Sequence, residues 1–185
     1  ECLLGAERNG EVVQGFDFGN SPFSYGSDNV AGKTVVLTTT NGTRAIRACL
    51  GATTVAIGSF LNMTALTDWL KNQSNPILLV CAGWKDHVCL EDTLFAGAVV
   101  SRVKTADSVL DDAARIAEDV YTEARGDMAR YLRNSAHAKR MERLDLSKDI
   151  AFCLQQDIVS VIPVMRDDRL VCLPADQQAA LNTPA

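Results

Sequence analysis

The stretch Gly32-Lys-Thr-Val-Val-Leu-Thr-Thr-Thr-Asn-Gly-Thr-Arg-Ala-Ile46 decides how the rest of the chain is read. Val35 to Leu37 is a short β-branched apolar run, the composition of a buried strand. Thr38, Thr39, Thr40 and Asn41 follow at once, and Gly42 ends the polar run. Ile46, Cys49 and Leu50, with alanines at 45 and 48, suit a helix packed on a sheet. Gly51 stands where a C-terminal helix glycine would. The unit is strand, polar loop, helix. Its loop meets the amino end of a helix, where free N–H groups and the helix dipole favour an anion. Arg44 adds a positive fork in the first turn. A helix cap from Thr40 or Asn41 would explain part of this polarity. Three threonines, an Asn-Gly and an arginine exceed what a cap needs, which favours a functional loop.

The same alternation continues outward. Thr53–Ile57 reads as a second strand, and Ser59 or Asn62 then caps a helix bearing Met63, Leu66 and Leu70. Ile77–Val80 reads as a third buried strand, followed by Cys81-Ala-Gly83 and a helix opened by Glu91-Asp92. Strands alternating with helices predict an α/β fold, a layered α/β/α domain with a mostly parallel or mixed sheet. Its core sheet is expected to hold Val35–Thr38, Val55–Ile57 and Ile77–Val80. In such sheets ligands bind outside the carboxyl ends of the strands. Both the Thr39–Arg44 loop and Glu91-Asp92 follow a strand and precede a helix, so they are expected in one cleft. Adjacent acids in a first helical turn also simply complement the dipole.

Residues 1 to 31 look rich in loops, with Leu3-Leu4 ending a strand and Val12-Val13 a small one. Gly15-Phe-Asp-Phe-Gly-Asn-Ser-Pro22 is a tight irregular path. Asp17, between two phenylalanines, is either a turn residue or a carboxylate in a partly apolar niche, able to ligate a metal or titrate unusually. From Asp107 to Arg143 the chain reads as charged helices, with a break at Gly126 and a cap at Asp127. His137 reads as a surface residue beside basic neighbours. Asp149–Gln156 is expected to be a last helix, Val159–Ile162 a strand, Val164–Leu173 a hairpin around Asp167-Asp168, and the tail after Pro174 frayed.

Composition narrows the functional classes. The chain has 185 residues, 47% hydrophobic and 22% charged, which suits one globular domain with a proper core. A net charge of −5 without a basic patch argues against nucleic acid. No apolar run has the length that spans a bilayer, and the opening Glu1-Cys-Leu-Leu-Gly has no basic n-region. Six unpaired-looking cysteines suggest reduced thiols in a cytoplasm. Two histidines and no Cys-x-x-Cys leave little for zinc. Carboxylates without histidines suit a hard cation such as magnesium, and magnesium with N–H groups and an arginine suits a phosphate ester. Cys2 and Arg8 have the Cys-x5-Arg spacing of cysteine phosphatases, but leucines follow Cys2 where glycines belong. Cys81 reads as a packed strand-end residue, because no histidine is placed to activate it.

The sequence resembles the 2-phosphosulfolactate phosphatases of the coenzyme M pathway. The resemblance rests on Gly5-Ala-Glu-Arg8, Gly15-Phe-Asp-Phe-Gly-Asn-Ser-Pro22, Thr38-Thr-Thr-Asn-Gly-Thr-Arg44, Gly58-Ser-Phe-Leu-Asn62, Cys81-Ala-Gly83 and Leu90-Glu-Asp92, in the family's order, with weaker echoes at Ser135–Arg140 and Asp149–Asp157. It implies a magnesium-dependent hydrolase that removes phosphate from 2-phospho-3-sulfolactate or a related phosphorylated acid. It implies Asp17, Glu91 and Asp92 as metal or general-base carboxylates. Thr39, Thr40, Asn41, Gly42, Thr43 and Arg44 would hold phosphate or sulfonate, with Glu7, Arg8, Asn20 and Ser21 nearby and Arg140 adding positive charge. Residues 1–185 are then one α/β phosphatase-like domain without the N-terminal strand segment usual in the family. The expected partner is a small phosphorylated acid, with neither nucleic acid nor membrane, and homodimerisation is left open. A catalytically silent anion-binding module or fragment of such an enzyme is the alternative.

Overall fold

A computed structural model describes residues 1–8, 11–144 and 146–174. The fold is α/β. Strand β1 (Cys2–Arg8) pairs antiparallel with the two-residue β2 (Glu11–Val12) and parallel with β3 (Thr34–Thr38), in register Cys2 with Thr34 through Ala6 with Thr38. This gives a mixed three-stranded sheet in the order β2-β1-β3. The crossover from β1 to β3 carries a 3-10 turn (Pro22–Tyr25) and the short α1 (Ser27–Val30). Beyond β3 come α2 (Gly42–Ala48), a 3-10 turn (Phe60–Asn62), α3 (Met63–Lys71), α4 (Leu90–Val103), α5 (Asp112–Ala124), α6 (Met128–Leu132), α7 (Ala136–Arg143) and α8 (Ser147–Cys153). A hairpin of β4 (Pro163–Arg166) and β5 (Arg169–Cys172) follows. None of the described helices is long and apolar enough to cross a membrane.

The sheet differs from expectation in its partners. Val35–Thr38 is a strand, but its parallel partner is the amino-terminal run Cys2–Ala6. Val55–Ile57 lies against the hairpin instead, antiparallel: Ala56 bridges Val164, Ile57 N–H donates to Pro163 O (2.8 Å), and Met165 N–H to Val55 O (2.9 Å). Ile77–Val80 joins no ladder, and Leu78 is 81% exposed. The expectation of one core sheet holding all three runs is therefore overturned. A short apolar run has no periodicity that distinguishes a ladder strand from an extended cleft wall. Val159–Ile162 is likewise not a strand; the strand begins at Pro163, with Ile162 buried beneath the hairpin. The frayed tail falls outside the described residues.

Local signals were sharper. Asp167 and Asp168, both at positive φ (46° and 59°), make the tight turn of the hairpin, a conformation that Asp tolerates. Asp127 caps α6 through the Arg130 N–H (2.9 Å), and Ser135 caps α7 through the Ala138 N–H (3.0 Å). Asn62, the buried polar residue before α3, accepts from Ser59 N–H (2.9 Å) and donates to Ile57 O (3.3 Å) and Val161 O (2.9 Å). It ties the turn before α3 to the segment entering the hairpin.

The core lies where α3, α4 and α5 meet that hairpin. Met63, Leu66, Leu94, Ala98, Val99, Ala124, Ile162 and Val164 are among its buried members. Leu94 and Val99 are fully inaccessible, and burial of such side chains stabilises by about 1.5–3 kcal/mol each. Gly97 permits the closest approach: a Cβ there would collide with the carbonyl oxygen of Ala117 in α5 and lie 2.9 Å from Tyr121 Cβ. In an open helix position, Gly→Ala would stabilise by roughly 0.5–1 kcal/mol. Here Gly97→Ala is expected to reverse sign, destabilising by about 1–3 kcal/mol and lowering Tm by several degrees. A thermal melt unchanged or raised in Gly97→Ala would contradict this packing.

Candidate active site

The site is organised by the turn at Trp84–His87. Trp84 and His87 exchange backbone hydrogen bonds at 3.0 Å each, and Lys85 and Asp86 between them sit at φ 51° and 62°. This is a two-residue turn of the kind that closes hairpins. Gly83, at φ 65°, leads into it; a Cβ there would lie 2.6 Å from the His87 carbonyl oxygen. Three helices grip the turn. From the start of α4, Asp92 Oδ2 accepts the Gly83 N–H (2.7 Å). From α2, Arg44 Nη2 reaches Asp86 Oδ1 (3.1 Å). From α7, the Arg140 guanidinium stacks on the Trp84 ring, Cζ 4.2 Å from its centroid, while Lys85 Nζ lies 4.5 Å from the same ring.

Beside this turn lies an open cleft of about 1310 Å³, with largely apolar walls that include Ile46, Val55, Leu66 and Phe95. Its polar lining includes Glu7, Asn20, Ser21, Glu91, Asp92 and His137, with Gly42 at the start of α2. Glu7 is half-buried at the end of β1, and its Oε2 accepts from Asn20 Nδ2 (3.4 Å). Sites of this kind set a few convergent polar groups in an apolar wall.

Other sequence candidates lie outside the cleft wall. Asp17 is exposed and accepts the Leu4 N–H (2.8 Å), so the apolar niche between its phenylalanines does not form. Among the described residues no three His, Cys, Asp or Glu converge to hold a metal, so Asp17, Glu91 and Asp92 do not make one ligand set. Arg8 is exposed at the end of β1. Cys2 and Arg8 stand at opposite ends of that strand, roughly 20 Å apart at the strand rise, which excludes a phosphate loop between them. In the polar loop, Thr39 and Thr43 satisfy each other: each hydroxyl accepts the other's backbone N–H at 3.1 Å. Asn41 occupies the N-cap position of α2 without a side-chain cap bond, and the hydroxyl that accepts the first-turn Thr43 N–H is that of Thr39. Arg44 is two-thirds exposed and already faces a carboxylate.

His137 is the residue that composition and periodicity undervalued. It lines the cleft, with Nδ1 2.5 Å from Arg140 Nη2 and 3.5 Å from Glu91 Oε1. Burial holds its pKa below the usual imidazole value; Glu91 opposes that shift and Arg140 adds to it. The available signal was the i, i+3 spacing of His137 and Arg140 behind the Ser135 cap, which puts both on one helix face.

The thiols here are held protonated. Burial first, then Glu91 and Asp92, push Cys89 up to about 11. Burial and then Asp92 also raise Cys81. Since the thiolate is the nucleophile, neither cysteine is prepared for attack at neutral pH. Alkylation at pH 7.5, mapped by mass spectrometry, is expected to label exposed Cys2 well before Cys89. Cys89 should gain reactivity in a Glu91→Gln, Asp92→Asn double variant. A Cys89 as reactive as Cys2 in the unsubstituted protein would refute this electrostatic picture.

Residues 1–168 match the family model described as 2-phosphosulpholactate phosphatase. A Thermotoga petrophila protein named probable 2-phosphosulfolactate phosphatase is 42% identical over 163 residues, 88% of this chain and 70% of the relative. Relatives of the same name from Clostridium acetobutylicum and Caldanaerobacter subterraneus are 37% and 33% identical, over 88% and 89% of this chain and 70% and 69% of their own lengths. With that model matched along nearly the whole chain, the chain belongs to the 2-phosphosulfolactate phosphatase family.

Proposed function

We propose that this chain hydrolyses a phosphate monoester of a small sulfonated or carboxylated hydroxy acid, with 2-phospho-3-sulfolactate as the first candidate. The observation that carries the proposal is the family match across residues 1–168. The cleft is compatible with the chemistry: two adjacent carboxylates and a histidine meet an open volume large enough for a small acid. Water attacks phosphorus, the ester P–O bond breaks, and the leaving oxygen takes a proton to give the hydroxy acid and inorganic phosphate.

Magnesium is the cation we assign to this reaction. It is ordinarily held by one or two carboxylates, the remaining positions going to water and substrate phosphate. Glu91 and Asp92, consecutive at the start of α4 and both on the cleft, fit such an open site. When bound, the ion would offset charge on the phosphoryl oxygens and acidify bound water. Asp92 is oriented by the Gly83 N–H on one oxygen, leaving the other for ligation. Glu91, at the cleft wall beside His137, is the group placed to accept a proton from water. Asp17 is no third ligand in this arrangement.

Phosphate release from 2-phosphosulfolactate, with magnesium and with excess chelator, tests the proposal. Activity is expected only with the cation, and Glu91→Gln is expected to lower kcat by about 10²–10⁴, the usual contribution of a proton-transfer group. No release from the unsubstituted chain under either condition would favour the silent anion-binding alternative. Arg44 gives a second test. A buried charge-assisted contact would contribute ~1.5–3 kcal/mol, but Arg44 is exposed and paired with Asp86, which places it at ~0–1 kcal/mol. Arg44→Ala is therefore expected to raise KM by no more than about fivefold, and Lys71→Ala, remote on α3, to leave it unchanged. A hundredfold effect of Arg44→Ala would mean that the substrate displaces Asp86 and takes the guanidinium directly.

A further inference from the structure

The proposed reaction leaves His137 without a role, yet its contacts constrain which ring nitrogen can carry its proton. Arg140 Nη2 is 2.5 Å from His137 Nδ1. A guanidinium carries donors only and does not lose its proton, so Nδ1 must accept. The ring is then neutral, with its one proton on Nε2. Glu91 Oε1, 3.5 Å from Nδ1, cannot draw that nitrogen into donating while Arg140 occupies its lone pair. Arg140 is itself held: its guanidinium carbon lies over the Trp84 ring, 4.2 Å from the centroid, and the turn bearing Trp84 is anchored by Asp92 and Arg44. Loss of the Trp84 contact is therefore expected to loosen the hold of Arg140 on Nδ1. Nε2 has no partner among the described residues, and the side chain, partly exposed, faces the cleft alongside Glu7, Ser21, Glu91 and Asp92.

We propose that His137 donates its Nε2–H to an oxygen of the anion bound in this cleft, and that Arg140 and Trp84 are positioning residues that lock it in the donor tautomer. This rests on the reading of the cleft as an oxyanion site. The shared chemistry is a tetrahedral oxyanion, presented either by the phosphoryl group or by the sulfonate of the substrate. A fixed neutral donor suits a place beside Glu91 and Asp92: it contributes a hydrogen bond to the anion without adding a cation that those carboxylates would capture. Trp84 thereby acquires a function at one remove, since its ring determines which ring nitrogen of His137 is protonated.

The test uses anion binding and does not require turnover. The chain has two histidines, so ¹⁵N-histidine labelling, with His137→Gln for assignment, reports the tautomer directly. The expected spectrum shows His137 as the Nε2–H form, and its Nε2 signal moves on adding inorganic phosphate or 3-sulfolactate. The probe that moves it identifies which acid group is read. Calorimetry is expected to show His137→Ala losing ~10–100-fold in affinity for that probe. His137→Gln, which keeps an amide donor near the Nε2 position, should stay within a few-fold of the unsubstituted chain. Trp84→Leu should yield a mixed tautomer spectrum and intermediate affinity. An Nδ1–H form in the unsubstituted chain, no binding of either probe, unchanged affinity in His137→Ala, or equal losses in the Ala and Gln variants would each overturn the inference. If His137 binds a probe but no phosphate is released from 2-phosphosulfolactate, the phosphatase reading alone fails. If phosphate is released while His137→Ala binds normally, this inference alone fails.

Discussion

The crossing of α4 over α5 is the constraint from which the site follows. With no side chain on Gly97, the α5 backbone comes into van der Waals contact with α4 at the Ala117 carbonyl. On either side of that point, Leu94, Ala98 and Val99 are excluded from water against α3 and the β4–β5 hairpin. An interior packed to this density does not deform by small amounts, so the direction of α4 is set by the fit at Gly97. Everything chemical at its amino end inherits that direction. Glu91 and Asp92 enter the cleft because the helix behind them cannot rotate, and Asp92 then fixes Gly83 and the turn beyond it.

Farther from that crossing, the site is assembled from contacts that are each weak. The Arg44–Asp86 pair is exposed on both sides, and such pairs contribute ~0–1 kcal/mol. The stack of Arg140 on Trp84 contributes about 0.5–1 kcal/mol where water reaches it. Yet α2, α4 and α7 converge on one short turn whose backbone already occupies the left-handed region at Lys85 and Asp86. Two residues held at positive φ leave the turn few alternatives, so weak contacts from three directions suffice to place it. The deep clamp at Asn62, buried and hydrogen-bonded on both ends of its amide, belongs to the frame and not to this rim.

What could be read in advance follows the range of the interaction. Caps and turns depend on a few neighbouring residues: Asp127, Ser59 with Asn62, and Asp167-Asp168 were legible because a carboxylate, hydroxyl or amide within a few positions satisfies the local backbone. The acidic opening of α4 was legible for the same reason. Strand partners are decided elsewhere. Nothing within Val35–Leu37 says that Cys2–Ala6 will lie beside it, nor does Val55–Ile57 show that β4 will claim it antiparallel. Thr39 and Thr43 look like ligand groups in the sequence because their mutual bonds need the fold of the loop itself. His137 was passed over because its neighbours in sequence are basic and solvated, whereas those that matter, Glu91 and Trp84, are some 46 and 53 positions away.

Charge ties these observations together. The high pKa of Cys89 is set by burial and by Glu91 and Asp92, so the start of α4 is a markedly negative place despite the favourable end of its dipole. 2-Phospho-3-sulfolactate, with nearly two negative charges on its phosphate and one each on sulfonate and carboxylate, carries about four; approaching a chain of net charge −5, it would be driven from such a place by both the local and the global field. Arg44 does little to counter this, being matched to Asp86. Arg140 lies beside His137 and directs its guanidinium at the ring, and its charge, which lowers the Cys89 pKa, only partly offsets burial and the two carboxylates. Under the proposed function, the carboxylate pair serves as a cation-binding element in addition to holding Gly83: without a divalent ion it would repel the substrate, and with one it would offer the substrate's oxygens a positive partner. The donors around it, the Asn20 amide and the His137 ring, are neutral. Neutral donors are what a carboxylate-held cation tolerates, since a lysine or arginine within the cleft would pair with Glu91 or Asp92 and leave the ion without its ligands.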